Sequence, residues 1–204
     1  MTNKKYKILL LIIFLAALLW SAINPKDYFT WFLEVFPAVI GLIILIVIDK
    51  KFELTRLLYF LILLEGLILV IGGHYTYAEM PLFNWLKDVF DLGRNYYDRL
   101  GHLMQGLVPA LIAREVLIRK NVLKPGAWLY FIVVCICLAI SAFYEFIEWW
   151  VAVASGTAAE AFLGTQGDTW DTQWDMFMAF VGANLGLIFL SKLHDRYLTK
   201  LENK

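Results

Sequence analysis

Apolar runs of near membrane-spanning length recur along this chain, separated by short connections that carry much of its charge. Six are read as spans, at residues 8–23, 31–48, 57–71, 98–118, 127–154 and 172–193. A helix needs roughly 20 apolar residues to cross the hydrocarbon core. Inside lipid it satisfies its own backbone hydrogen bonds, which strands achieve only as a closed barrel. Pro25, Pro81 and Pro125 fall in connections, where proline interrupts no ladder. Pro37 and Pro109 fall inside spans, as membrane helices tolerate. The pattern predicts an all-α fold: a polytopic membrane helical bundle of about six transmembrane helices, forming a single domain over residues 1–204.

Composition sharpens this reading. The chain is 61% hydrophobic and 18% charged, where soluble domains run nearer half and a quarter. Net charge is zero, so there is no basic face for nucleic acid. The only cysteines, Cys135 and Cys137, lie within one apolar run and read as small filler. The first span follows Lys4, Lys5 and Lys7 but lacks a small-residue cleavage site, so an uncleaved anchor is expected.

Charge also sets an orientation. With the N-terminus cytoplasmic, 14 of the 18 Lys and Arg residues fall inside, and Lys26, Lys87, Arg94 and Arg99 fall outside. That bias predicts both termini in the cytoplasm. Seven of the eight tryptophans then lie toward the outer side.

The acids are the anomaly. Asp98 and His102 share a helix face at i, i+4, and Glu145 and Glu148 share one at i, i+3. Asp168, Asp171 and Asp175 make an acidic stripe in "GTQGDTWDTQWDM", at the opening of the last span, and "GGHY" offers His74 at the end of the third. Glu145 would lie roughly 13 Å below the outer surface at 1.5 Å per residue. A charge inside a span costs at least a few kcal/mol unless it meets a partner or water. Arg99 and Arg94 can neutralise some of these acids, and the excess calls for protons or a cation.

This mixture of carboxylates and imidazoles suits a divalent metal, Zn, Mn or Mg, in an outward-facing polar cavity. The candidate ligands are His74, Asp98, His102, Glu148, Asp171 and Asp175; the candidate catalytic groups are Glu145, Arg99 and Asp168. Each motif also has a plain structural reading: a hydrogen-bonded pair, buried glue between helices, or acids at a helix N-terminus. Glu65 stands mid-span without an obvious partner, and His194 at the inner end carries no expected role.

The segments "GGHY", "RNYYDRLGH", "EFIEWW" and "GTQGDTWDTQWDM" resemble the bacterial YjdF-like family of small inner-membrane proteins, along essentially the whole chain. That resemblance implies a multi-pass protein of the bacterial inner membrane and assigns no activity. Three functions are therefore carried from the residues. The first is a metal-dependent hydrolase acting on a lipid or lipid-phosphate, with membrane lipids as partners. The second is an ion- or proton-coupled transporter, and the third a non-enzymatic assembly or lipid-binding protein.

Overall fold

The computed structural model describes residues 2–156 and 160–202. Met1, residues 157–159 and the last two, including Lys204 of the inner charge count, lie outside the described residues. Nine α-helical segments are described: α1 (Asn3–Ser21), α2 (Tyr28–Asp49), α3 (Arg56–Tyr75), α4 (Pro81–Val89), α5 (Tyr97–Arg119), α6 (Ala127–Ser155), α7 (Glu160–Leu163), α8 (Asp171–Leu185) and α9 (Ser191–Glu202). A 3-10 turn at Tyr77–Glu79 precedes α4, and a π-helical turn at Gly186–Leu190 joins α8 to α9. No strand occurs among the described residues.

Four helices are long and apolar enough to cross a membrane: α2, α3, α6 and the continuous rod Asp171–Leu201. With 19 and 23 residues, α1 and α5 have the length but carry more charge. The final rod outruns the predicted span, because "SKLHDRYLTKLE" is polar yet contains neither glycine nor proline to stop a helix. Sequence also dictates the caps. Asp27 accepts from the Thr30 backbone N–H at 2.7 Å, and those hydrogen bonds hold its carboxyl below the usual range.

Three apolar clusters build the bundle. Phe14, Val35, Ala38, Leu63 and Val70 join α1, α2 and α3. Leu58, Leu61, Val108 and Leu111 join α3 to α5. Ala110, Val133, Cys137, Ala183 and Leu187 join α5, α6 and the last rod. Large apolar side chains such as Ile12, Val47, Phe146 and Phe189 stay exposed on the outside, as a lipid-facing surface requires.

The closest approach is between α5 and α8. A Cβ on Gly106 would fall 1.9 Å from the Ala179 carbonyl oxygen, and one on Gly182 would fall 1.9 Å from that of Leu103. Small residues at a helix contact let backbones meet, which drives packing where lipid offers no hydrophobic contrast.

A polar pin closes the end opposite the acidic stripe. Glu115 is fully buried and accepts from the Thr55 backbone at 3.0 Å, the Thr55 hydroxyl at 2.8 Å and Arg119 at 2.6 Å. His194, also fully buried, lies with Nε2 2.9 Å from Glu115. Arg114 lies 3.1 Å from His194 Nδ1, and arginine can only donate. Nδ1 therefore accepts, and the Nε2–H donates to Glu115. His194, for which no role was expected, is thus an integral tie between α5 and α9.

Candidate functional site

Helix α5 enters the bundle with Asp98, Arg99 and His102 in its first two turns, all buried. Two arginines organise the surrounding acids. One terminal nitrogen of Arg99 pairs with Asp175 and lies 3.3 Å from Asp98; the other donates to Asp171 at 2.5 Å and lies 3.4 Å from Asp168. Arg94, in the bend before α5, donates to the same Asp171 oxygen at 2.6 Å and to the Gly164 carbonyl at 3.0 Å. It also lies 3.4 Å from Asp168 and 3.6 Å from Asp98. Breaking such a buried pair on one side strands a charge, which typically costs about 3–5 kcal/mol.

The loop before α8 is fastened over this cluster. Gly164, at φ +61°, sits where an added Cβ would meet the Asp98 carboxyl at 3.7 Å, and Gly167 turns the chain at φ +84°. Gln166 and the fully buried Asn95 exchange two backbone–side-chain hydrogen bonds of 2.9 Å. Asp168 accepts from the Trp170 backbone at 2.9 Å, so it belongs to the turn, and the helical stripe begins at Asp171. The expectation of one helical face through all three aspartates is corrected there, although all three still face the arginines.

His102 is shared by two potential ligand sets. Asp98, His102 and Asp175 offer ligand atoms within 4.8 Å of one another, and so do His102, Glu145 and Glu148; all five residues are buried. His102 Nε2 lies 3.5 Å from both Asp98 and Asp175, and Nδ1 lies 3.0 Å from Gln105 Oε1. With Nδ1–H donating to that amide oxygen, Nε2 faces two carboxylate oxygens, an arrangement that needs a proton or a cation between them. Glu145 Oε1 is buried without a hydrogen-bond partner. An oxygen-rich set with one imidazole suits Mn or Mg and admits Zn.

A cavity of about 220 Å³ adjoins His102. Its walls include Glu34 of α2, Glu65 of α3, Tyr77, and Tyr144 and Glu148 of α6. Burial, and secondarily Glu34, pushes the Tyr77 phenol well above its ordinary range, so it stays a neutral hydroxyl.

The candidate residues therefore separate. Asp98, Arg99, His102, Asp168, Asp171 and Asp175 are linked by ion-pair contacts, and Glu145 and Glu148 meet the group through His102. His74 is not among them. It ends α3 with Nδ1 3.1 Å from the Ser21 carbonyl and its ring 4.4 Å from that of Trp20, tying α3 to α1. Arg99, a candidate catalytic group, has its guanidinium engaged by four aspartates.

Sequence reasoning missed Glu34, Tyr77, Tyr144, Asn95 and Gln166. Glu34 alone had a legible signal, a carboxylate inside the apolar run "WFLEVFPAV".

Comparisons with known proteins bear on the whole chain. It is 48% identical over 183 residues to the inner membrane protein YjdF of Escherichia coli (strain K12), covering 90% of this chain and 88% of that one. No solved structure matches it significantly. The family model described as "Predicted membrane protein (DUF2238)" matches residues 6–196. With membrane-length helices in the fold and that match across nearly its full length, the chain belongs to the DUF2238 family of membrane proteins.

Proposed function

We propose that this is a six-span protein of the bacterial inner membrane, with both termini cytoplasmic and a divalent-metal site at its outer end. On this reading it hydrolyses a lipid or lipid-phosphate presented from the outer leaflet. The name of the Escherichia coli relative supports the location. The Lys and Arg asymmetry supports the orientation. Helices α1 and α5 serve as spans because the charges of α1 cluster at its first turns, and Asp98, Arg99, Arg114 and Glu115 of α5 are buried within protein.

The observation that carries the metal reading is the pair of buried ligand sets meeting at His102, beside a Glu145 oxygen that no donor satisfies. Burying carboxylates in such a place is costly unless they serve a cation or a proton. Asp98, Asp175, His102 and Glu148 would hold the ion, which when bound would supply Lewis-acid polarisation of a phosphoryl or acyl oxygen. Glu145 is the base that takes a proton from the attacking water. Arg94 and Arg99 hold the aspartates in place.

The test is phosphate release from short-chain phosphatidic acid by the detergent-purified chain with added Mn, Mg or Zn. Activity that a chelator stops and Glu145→Gln removes supports the reading. No release with any of the three metals contradicts the lipid-phosphate form of the reaction.

Glu65 favours a second reading, cation- or proton-coupled transport. It lines both the 220 Å³ cavity and a larger groove of about 730 Å³ among α1, α2 and α3. A carrier needs ionisable groups at such mid-membrane positions.

A further inference from the structure

The cavity beside His102 contains a carboxylate that the metal reading leaves unused. Glu34 is 97% buried in α2, since only 3% of its surface is exposed. Neither of its carboxylate oxygens has a hydrogen bond of good geometry, and the Tyr77 backbone N–H is the weak donor directed at it. The cavity it lines also presents Glu65, for which no hydrogen bond or ion pair is seen among the described residues. The aromatic side chains of Tyr77 and Tyr144 form further wall, as do the apolar Leu69 and Ile140. Asp98, His102 and Glu148 complete the wall, which carries no lysine or arginine. The volume of about 220 Å³ exceeds that of a bare metal ion several-fold, a water occupying about 30 Å³.

These features specify the ligand's chemistry. A buried carboxyl without a partner is either protonated or met by positive charge. Aromatic faces attract cations and, with aliphatic walls, favour a charge carried on carbon over a hydrated ion. We propose that the Glu34 cavity binds a compact organic ammonium, either a free amine or the amine headgroup of a lipid. Glu34 is its counter-ion, Tyr77 and Tyr144 its aromatic walls, and Glu65 the second carboxylate. The proposal is carried by Glu34, and Asp98, His102 and Glu148 of the metal reading share the wall of the same cavity.

The experiment is a thermal-shift titration of the detergent-purified chain with tetramethylammonium and with ethanolamine. Sodium chloride at matched ionic strength is the control, and EDTA is present throughout so that metal plays no part. Saturable stabilisation by the ammonium ions and none by sodium is expected. Glu34→Gln keeps the shape of the side chain and removes its charge, and weakens that binding about tenfold or more. Glu145→Gln leaves it intact. If Glu34→Gln does not yield a monodisperse protein, Tyr144→Leu is titrated instead and shows the same direction of loss.

Repeating the titration in nanodiscs distinguishes the source. Phosphatidylethanolamine discs abolish the response to free ammonium if the lipid headgroup occupies the site, and phosphatidylglycerol discs preserve it. A response in both discs identifies a free amine. Equal stabilisation by sodium, no saturable response, or full binding in both Glu34→Gln and Tyr144→Leu overturns the proposal. Absence of metal from the protein, by contrast, overturns only the metal reading.

Discussion

The backbone of Gly106 rests against the carbonyl of Ala179 so closely that a Cβ on Gly106 would fall 1.9 Å from that oxygen. This contact fixes α5 against α8, and therefore fixes Arg99, two turns above it, against Asp171 and Asp175. Gly182 repeats the relationship against Leu103. Gly106→Ala or Gly182→Ala must push the helices apart. Overpacking a tight contact typically costs about 1–3 kcal/mol, and here the obstacle is backbone rather than a movable side chain. Each variant is expected to lower the melting temperature in detergent clearly. Gly41→Ala serves as the control, because a Cβ there meets nothing within 4 Å.

Arg99 is the hub of the acidic cluster. Arg99→Met removes the partner of four aspartates and is expected to destabilise the protein by about 3–5 kcal/mol. Arg99→Lys keeps the charge but loses the fork that reaches Asp171 and Asp175 from separate nitrogens, so it recovers only part of that loss. Chemical denaturation of the two variants in mixed micelles measures the difference. Equal stability of Arg99→Met and the parent would remove Arg99 from the centre of the site.

The Glu115 pin at the opposite end provides a contrast. Glu115→Ala leaves Arg119, Thr55 and His194 facing a void and is expected to cost about 3–5 kcal/mol. Its effect falls on stability alone: metal content and ammonium binding per folded molecule are expected to match the parent. A loss of metal in well-folded Glu115→Ala would mean that the two ends are coupled.

Topology is checked by labelling single cysteines. In a background with Cys135→Ala and Cys137→Ala, Asp88→Cys in α4 and Lys51→Cys after α2 are exposed to a membrane-impermeant maleimide on intact cells. Asp88→Cys is expected to react and Lys51→Cys to react only after lysis. The reverse pattern would place the acidic cluster on the cytoplasmic side.

Much of the fold was legible because membrane helices obey local rules. Hydropathy and proline placement brought each predicted span within a few residues of a helix, and the last overran because α9 is polar but unbroken. The acids of the site were legible for the same reason, as rare charges inside apolar runs. The contacts between helices were not. Nothing in the spacing of Gly106 and Gly182 showed which helix each would meet. His74 follows the same helical logic as His102, but the end of α3 delivers it to Trp20 and Ser21. Arg94 and Arg99 were visible as counter-charges, whereas their sharing of one Asp171 oxygen depends on a loop whose docking through Asn95 and Gln166 leaves no periodic trace.

The central claim is that the buried groups around His102 hold a divalent cation. Elemental analysis of the detergent-purified protein, after repletion with Mn, Mg or Zn and removal of loose metal, tests it most directly beside a His102→Gln/Glu148→Gln double variant. The account predicts close to one bound metal per chain in the parent and its loss in the double variant, with an unchanged elution profile for both. No bound metal in the parent with any of the three ions, or equal metal in parent and variant, would contradict it.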